Sequence, residues 1–174
     1  MKTETEETKQ QTIAEFIAKH GITMKAVYAG RRTEERKAGA DAKSKPWEFF
    51  LWHCTLERKQ AGKTLLMDQE YRMGIGNITV RPSTTAKPGT RAHADHVARW
   101  GKPTPPQADN VLDSLSLDAR ANEQTFEDWA GDFCYDTDSR EAERIYHACI
   151  ECGRKLSAFL GRELVRELQQ CEPL

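Results

Sequence analysis

One stretch constrains the fold more than any other. Trp47-Glu48-Phe49-Phe50-Leu51-Trp52-His53-Cys54-Thr55-Leu56 is nearly continuous in aromatic and aliphatic residues, with no Gly or Pro. Bulky and β-branched side chains suit a pleated surface, and an unbroken apolar run suits a central strand covered on both faces. Such a strand requires partners. Residues 22–28 supply one, with Ile22, Met24 and Tyr28 on one side, and residues 64–71 another, with Leu65, Met67 and Tyr71 alternating. Gly62, inside residues 58–63, marks a hairpin turn between the second and third strands. The three strands make an antiparallel meander, with a charged loop over residues 31–45.

Helical spacing flanks the meander. Before it, Ile13, Phe16 and Ile17 share one face over residues 8–20, and Gly21 stands where a left-handed cap belongs. After it, residues 74–106 keep no period and are rich in Gly and Pro, which predicts a long loop or insertion holding one short helix over 93–100. Thr104 and Pro105 read as the N-cap and first residue of a helix that buries Val111, Leu112 and Leu115. Thr125 and Asp128 read as a capping box opening a short helix that ends near Gly131, with Trp129 and Phe133 packed on the helix that follows. That helix starts at Asp138 or Ser139, stops at Gly161, and carries Ala142, Ile145, Tyr146, Cys149, Cys152, Leu156, Phe159 and Leu160 in one stripe. A last helix over 163–170 buries Leu164, Val165 and Leu168.

The expected fold class is α+β: an N-terminal helix, a small three-stranded antiparallel sheet, then a C-terminal helical subdomain of three to four helices packed on it. The 174 residues suit a single domain. Residues 1–73 form the helix plus meander, 74–103 the insertion and 104–174 the acidic helical half.

Charge is divided along the chain. Residues 1–103 hold 19 Lys and Arg against 12 Asp and Glu, whereas 104–174 hold 7 against 15. Such an asymmetry bears on partners and steering rather than on fold. No stretch nears the ~20 apolar residues of a membrane span, and MKTETEETKQ has no apolar region behind it, so the sequence points to a cytoplasmic protein with no membrane partner. Five cysteines, an odd number, read as reduced thiols rather than a disulfide framework.

Chemistry-bearing constellations are few. Cys149 and Cys152, a C-x-x-C, together with His93 and His96, would supply four nitrogen and sulfur ligands of the kind zinc takes. Both cysteines fall on the apolar stripe, however, which favours core packing, and no metal or other cofactor is expected. The acidic run from Asp132 to Glu143 lacks the glycine and bidentate glutamate of a calcium loop. His53 and Cys54 lie on opposite faces of one strand and cannot act as base and nucleophile. Gly74-Ile75-Gly76 lacks the third glycine and the following helix of a dinucleotide site. The sequence therefore reads as a binder rather than an enzyme.

Two surfaces are candidates for binding. The basic one comprises Arg31, Arg32, Arg36, Lys37, Arg81, Lys87 and Arg91, interleaved with Tyr28, Trp47, Tyr71 and Trp100, a mixture that contacts phosphates by charge and bases by stacking. The acidic one comprises Glu127, Asp132, Glu141, Glu143 and Glu151, whose carboxylates imitate the phosphate array that a nuclease groove accepts. Asp128, Asp136 and Asp138 are assigned instead to helix caps.

Phe126-Glu127-Asp128-Trp129, Tyr135-Asp136-Thr137-Asp138-Ser139-Arg140 and Ala142-Glu143-Arg144-Ile145-Tyr146, preceded by Pro103 to Leu115, carry a resemblance. They look like the F-E-[DE]-W…Y-D-T-D-S-R…A-E-x-x-Y signature of small accessory proteins encoded by phages and prophages. Residues 78–100 exceed the usual linker of that family. The resemblance implies a stoichiometric inhibitor of a host defence, anti-CRISPR-like, acting in the host cytoplasm on a defence protein, a nuclease or its nucleic-acid complex. A nucleic-acid-binding module using the basic strand and loop surface is the alternative. No catalytic residue is carried over.

Overall fold

The computed structural model describes residues 10–34, 47–74, 86–87, 89–100 and 104–174. It holds an N-terminal helix, a three-stranded antiparallel sheet in the order β1-β2-β3, and several C-terminal helices. The strands are β1 (Thr23–Glu34), β2 (Trp47–Gln60) and β3 (Lys63–Gly74). The helices are α1 (Ile13–His20), α2 (Arg91–Trp100), α3 (Ala108–Ala119), α4 (Phe126–Asp132), α5 (Arg140–Leu160) and α6 (Arg162–Gln169), with a 3₁₀ turn over Arg120–Glu123. By contact density the chain divides into two compact units. The first draws on Met1–Met24, Leu56–Met67 and Gln107–Leu174, and the second on Lys25–Thr55 and Asp68–Pro106. No helix among the described residues is long and apolar enough to cross a membrane.

The strands run longer than their apolar cores predict, and the sheet is two-faced. Along β2, Trp52, Cys54, Leu56 and Arg58 are buried while His53 and Lys59 are exposed, so the central strand alternates instead of being covered on both sides. Arg31 to Glu34, expected in a loop, continue β1, and Arg58, expected in the turn, belongs to β2. The turn itself is only Ala61-Gly62, both at positive φ (49° and 76°), as a tight hairpin twisted with its strands requires. Across that hairpin the Thr55 hydroxyl donates to Asp68 Oδ1 at 2.7 Å on the outer face.

The first unit is built on helix contacts, with α3 against α5 and α1, and α5 against α6 and the 3₁₀ turn. Its core takes in Phe16, Leu56, Val111, Leu112, Leu156, Phe159 and Leu168, each at most 2 % exposed. Helix α1 begins later than expected, at Ile13, because Thr12 and Glu15 form a reciprocal capping box. It ends as expected at Gly21, with φ 60°. Helix α3 corrects the assignment of Thr104 and Pro105: it starts at Ala108 behind Gln107. Pro106 disfavours helical dihedrals in the residue before it, so Pro105 cannot open the helix. Asp138 is likewise not the cap of α5; Ser139 is, its hydroxyl accepting the Ala142 amide at 3.3 Å.

Candidate functional site

The end of α4 is where sequence and structure part most instructively. Thr125 caps its start as predicted, accepting the Asp128 amide and donating to the Asp128 carboxylate. Its other end carries a Schellman motif: the Tyr135 amide donates to Ala130 O at 2.8 Å and the Cys134 amide to Gly131 O at 3.3 Å. The left-handed position of that motif is normally glycine, yet here Cys134 occupies it at φ 56°. This reversal brings Tyr135 back over α4. The sequence placed Phe133 in the core against α5; it is 49 % exposed.

What results is a corner of aromatic rings. Trp129 is buried, and Tyr135 stacks on it with ring centroids 5.0 Å apart and planes within 7°. Phe133 tilts onto the same indole at 5.4 Å. On the inner side Tyr146 of α5 lies 5.4 Å from both Trp129 and Phe126, and its hydroxyl donates to Gln124 O at 2.7 Å. The Tyr135–Trp129 stack is also the apolar contact that accompanies a Schellman cap. Phe133 and Tyr135 therefore have a structural reason to touch Trp129, and both are nevertheless exposed.

The same stretch of chain is rich in carboxylates. Glu127 and Asp132 are exposed on α4, and Asp132 Oδ2 accepts from Gln124 Nε2 at 2.6 Å. Glu141 and Glu143 stand exposed on the first turn of α5, facing Arg144 at 3.4 Å and His147 at 3.9 Å. Glu151 pairs with Arg154 at 3.0 Å and, eight residues beyond Glu143, stands about 12 Å further along the helix. Four of the five acidic candidates thus fall on the stretch from α4 to the first turn of α5 that carries the corner, and Glu151 does not. Asp136 Oδ1 accepts the Asp138 amide at 3.0 Å in a local turn, and the cap of α5 is Ser139 rather than Asp138.

The basic candidates divide differently. Arg36, Lys37 and Arg81 lie outside the described residues. Arg31 and Arg32 fall in β1, with Arg32 exposed; Lys87 is exposed ahead of α2, and Arg91 is exposed at its first residue, 4.0 Å from Asp95. In the same unit Tyr28 is 45 % exposed while meeting Phe50 edge-on at 6.0 Å and Trp52 at 5.4 Å. The Trp52 indole N–H is buried with no hydrogen-bond partner among the described residues.

Cys149 and Cys152 are buried in the first unit, whereas His93 and His96 lie on α2 in the second. Burial, reinforced by the nearby Asp118 carboxylate, pushes both thiols up to about 12. The Cys149 thiol donates to Asp118 Oδ1 at 3.8 Å, and burial raises the Asp118 carboxyl in turn. Protonated thiols are poor metal ligands. Among the described residues no group of three or more His, Cys, Asp or Glu is placed to hold a metal ion.

Sequence reading missed Arg58. Only 7 % exposed, its guanidinium donates to Phe159 O at 2.6 Å and Leu160 O at 3.0 Å, the last carbonyls of α5, and to Gln60 Oε1 at 2.8 Å. A cation there satisfies orphan acceptors and opposes the negative end of the helix dipole. Its alternation with Trp52, Cys54 and Leu56 was the available signal. Comparison of the chain with protein-family models, curated proteins and solved structures finds no match.

Proposed function

We propose that the chain is an accessory protein of the phage type that inhibits a host defence by binding one of its protein components stoichiometrically, through the aromatic corner at the end of α4. The observation that carries this reading is the exposure of Phe133 and Tyr135 beside a buried Trp129, on a stretch of chain rich in carboxylates. Aromatic anchors held in place and ringed by polar groups are the usual centre of a protein interface. The resemblance to phage accessory proteins supplies the biological setting, the host cytoplasm. The test is protection of an infecting phage in strains carrying a CRISPR or restriction system, with size-exclusion co-elution of the targeted effector. Protection is expected from the native chain and its loss from Phe133→Ala with Tyr135→Ala. Undiminished protection by that double variant sinks the assignment of the corner.

A second reading, nucleic-acid binding by the second unit, is favoured by Tyr28, an exposed ring backed by Phe50 and Trp52 in a sheet that also carries Lys25 and Arg32. A gel shift that weakens with salt and with Tyr28→Ala supports it. No shift with DNA or RNA at low salt disposes of it.

A further inference from the structure

Resting on the corner as the contact surface, we infer that its preferred occupant is an arginine side chain of the partner protein, stacked on Phe133 and Tyr135 and hydrogen-bonded to the flanking carboxylates. Three observations lead there. Phe133 and Tyr135 are both exposed, at 49 % and 37 %. Aromatic faces are electronegative and attract a cation laid over them. Both rings are already fixed against Trp129 by the helix-ending turn, so little ordering remains to be done on binding.

Charge then selects the ligand. From Phe126 to Glu143 the chain carries seven carboxylates and a single cation, Arg140. Asp132 and Asp136 flank the ring-bearing residues directly in sequence, and each has lone pairs beyond the one bond it accepts. Nucleic acid and anionic surfaces are repelled from such a place, and a cationic protein segment is drawn to it. Between the two cationic side chains, the choice is arginine. Its planar guanidinium is weakly hydrated, stacks on rings and forks onto carboxylates at once, whereas a lysine ammonium is a strongly hydrated point charge.

The probe is a blocked pentapeptide, Gly-Gly-Arg-Gly-Gly, titrated into the full chain and followed by backbone amide NMR, against the same peptide with lysine or citrulline in the central position. Expected are shifts confined to the amides of residues 126–143 and binding about three- to fivefold tighter for arginine than for lysine. No saturable response to citrulline is expected, and raised salt should weaken the arginine complex. Phe133→Ala and Tyr135→Ala should each weaken it by a similar factor in a chain that is still folded by circular dichroism, with a somewhat lowered thermal midpoint because both rings also pack on Trp129. An equal response to citrulline, or shifts centred elsewhere, overturns the inference. Loss of phage protection in the double variant without any peptide discrimination overturns the arginine assignment alone. Peptide discrimination with protection intact in that variant overturns the corner's role in inhibition. Concentration-dependent self-association that disappears with Phe133→Ala overturns the choice of a foreign partner, because it gives the corner to the cationic half of a second copy.

Discussion

Gly153 sits in the middle of a 21-residue helix, where glycine ordinarily costs about 0.5–1 kcal/mol relative to alanine. Propensity alone would make Gly153→Ala stabilising. Packing reverses the sign. A Cβ at this position would fall 1.8 Å from Asn122 Nδ2 and 3.1 Å from the Ala119 Cα. The amide cannot simply step aside, because it donates to Ala119 O at 3.2 Å and Ile150 O at 3.3 Å, joining the end of α3 to the middle of α5. Gly153→Ala should therefore lower stability by about 1–3 kcal/mol, read as a shift in the urea midpoint. Adding Asn122→Ala should recover part of that loss, since it removes the nearer of the two obstructions. A neutral or stabilising single variant would show that the α3–α5 contact yields easily.

At the scale of elements, α1 and α6 are held by a clasp. Lys19 Nζ donates to Glu167 Oε1 at 2.7 Å, and His20 Nε2 lies 3.1 Å from the same oxygen. The Lys19 hydrogen bond, with a lesser one from His20, holds the Glu167 carboxyl below its usual value despite some opposing desolvation. A group whose folded pKa is depressed binds protons more readily when unfolded. Its contribution is complete above the unfolded glutamate pKa of about 4.3 and is lost as pH falls through the folded value. Glu167→Gln should thus be less stable than the native chain at pH 6 and converge on it once the pH has fallen below the folded pKa of Glu167, in denaturation midpoints taken at fixed salt. A gap that stays constant with pH would contradict the clasp. The pair is partly solvated, so the gap should be small and should shrink with salt.

Elements like α1 and α5 were legible in the sequence because their information is local: a stripe of apolar residues, a capping hydroxyl, a terminal glycine. Other features were not. Arg58 looks like a turn residue until the two carbonyls it satisfies, a hundred positions away in the chain, are brought to it. Cys134 carries no sign of a left-handed turn, so Phe133 read as one more core ring and the corner stayed hidden inside a correctly predicted helix pair. The acidic signal was visible in composition, but which carboxylates were committed to caps was not. Ser139 relieved Asp138 of that task.

Across the whole molecule the cysteines give a measure of integrity. Cys54, Cys149, Cys152 and Cys171 are buried and burial raises each of their pKa values, while Cys134 alone is exposed. A disulfide reagent at pH 8 should titrate one thiol quickly in the native chain and five after denaturation. More than one fast thiol would contradict the packing of α5 or of the sheet. Because the fast thiol is the residue between Phe133 and Tyr135, its rate also reports occupancy of the corner.

Residues 12 and 172 meet in a parallel bridge, where the Glu172 amide donates to Gln11 O at 2.9 Å and Gln10 Nε2 donates to Gln170 O at 2.6 Å. A ribosome delivers the first of these partners long before the second. The bridge and the Lys19–Glu167 pair consequently form only once α6 and the residues after it have emerged, so this step of folding falls after translation of α6 rather than during it.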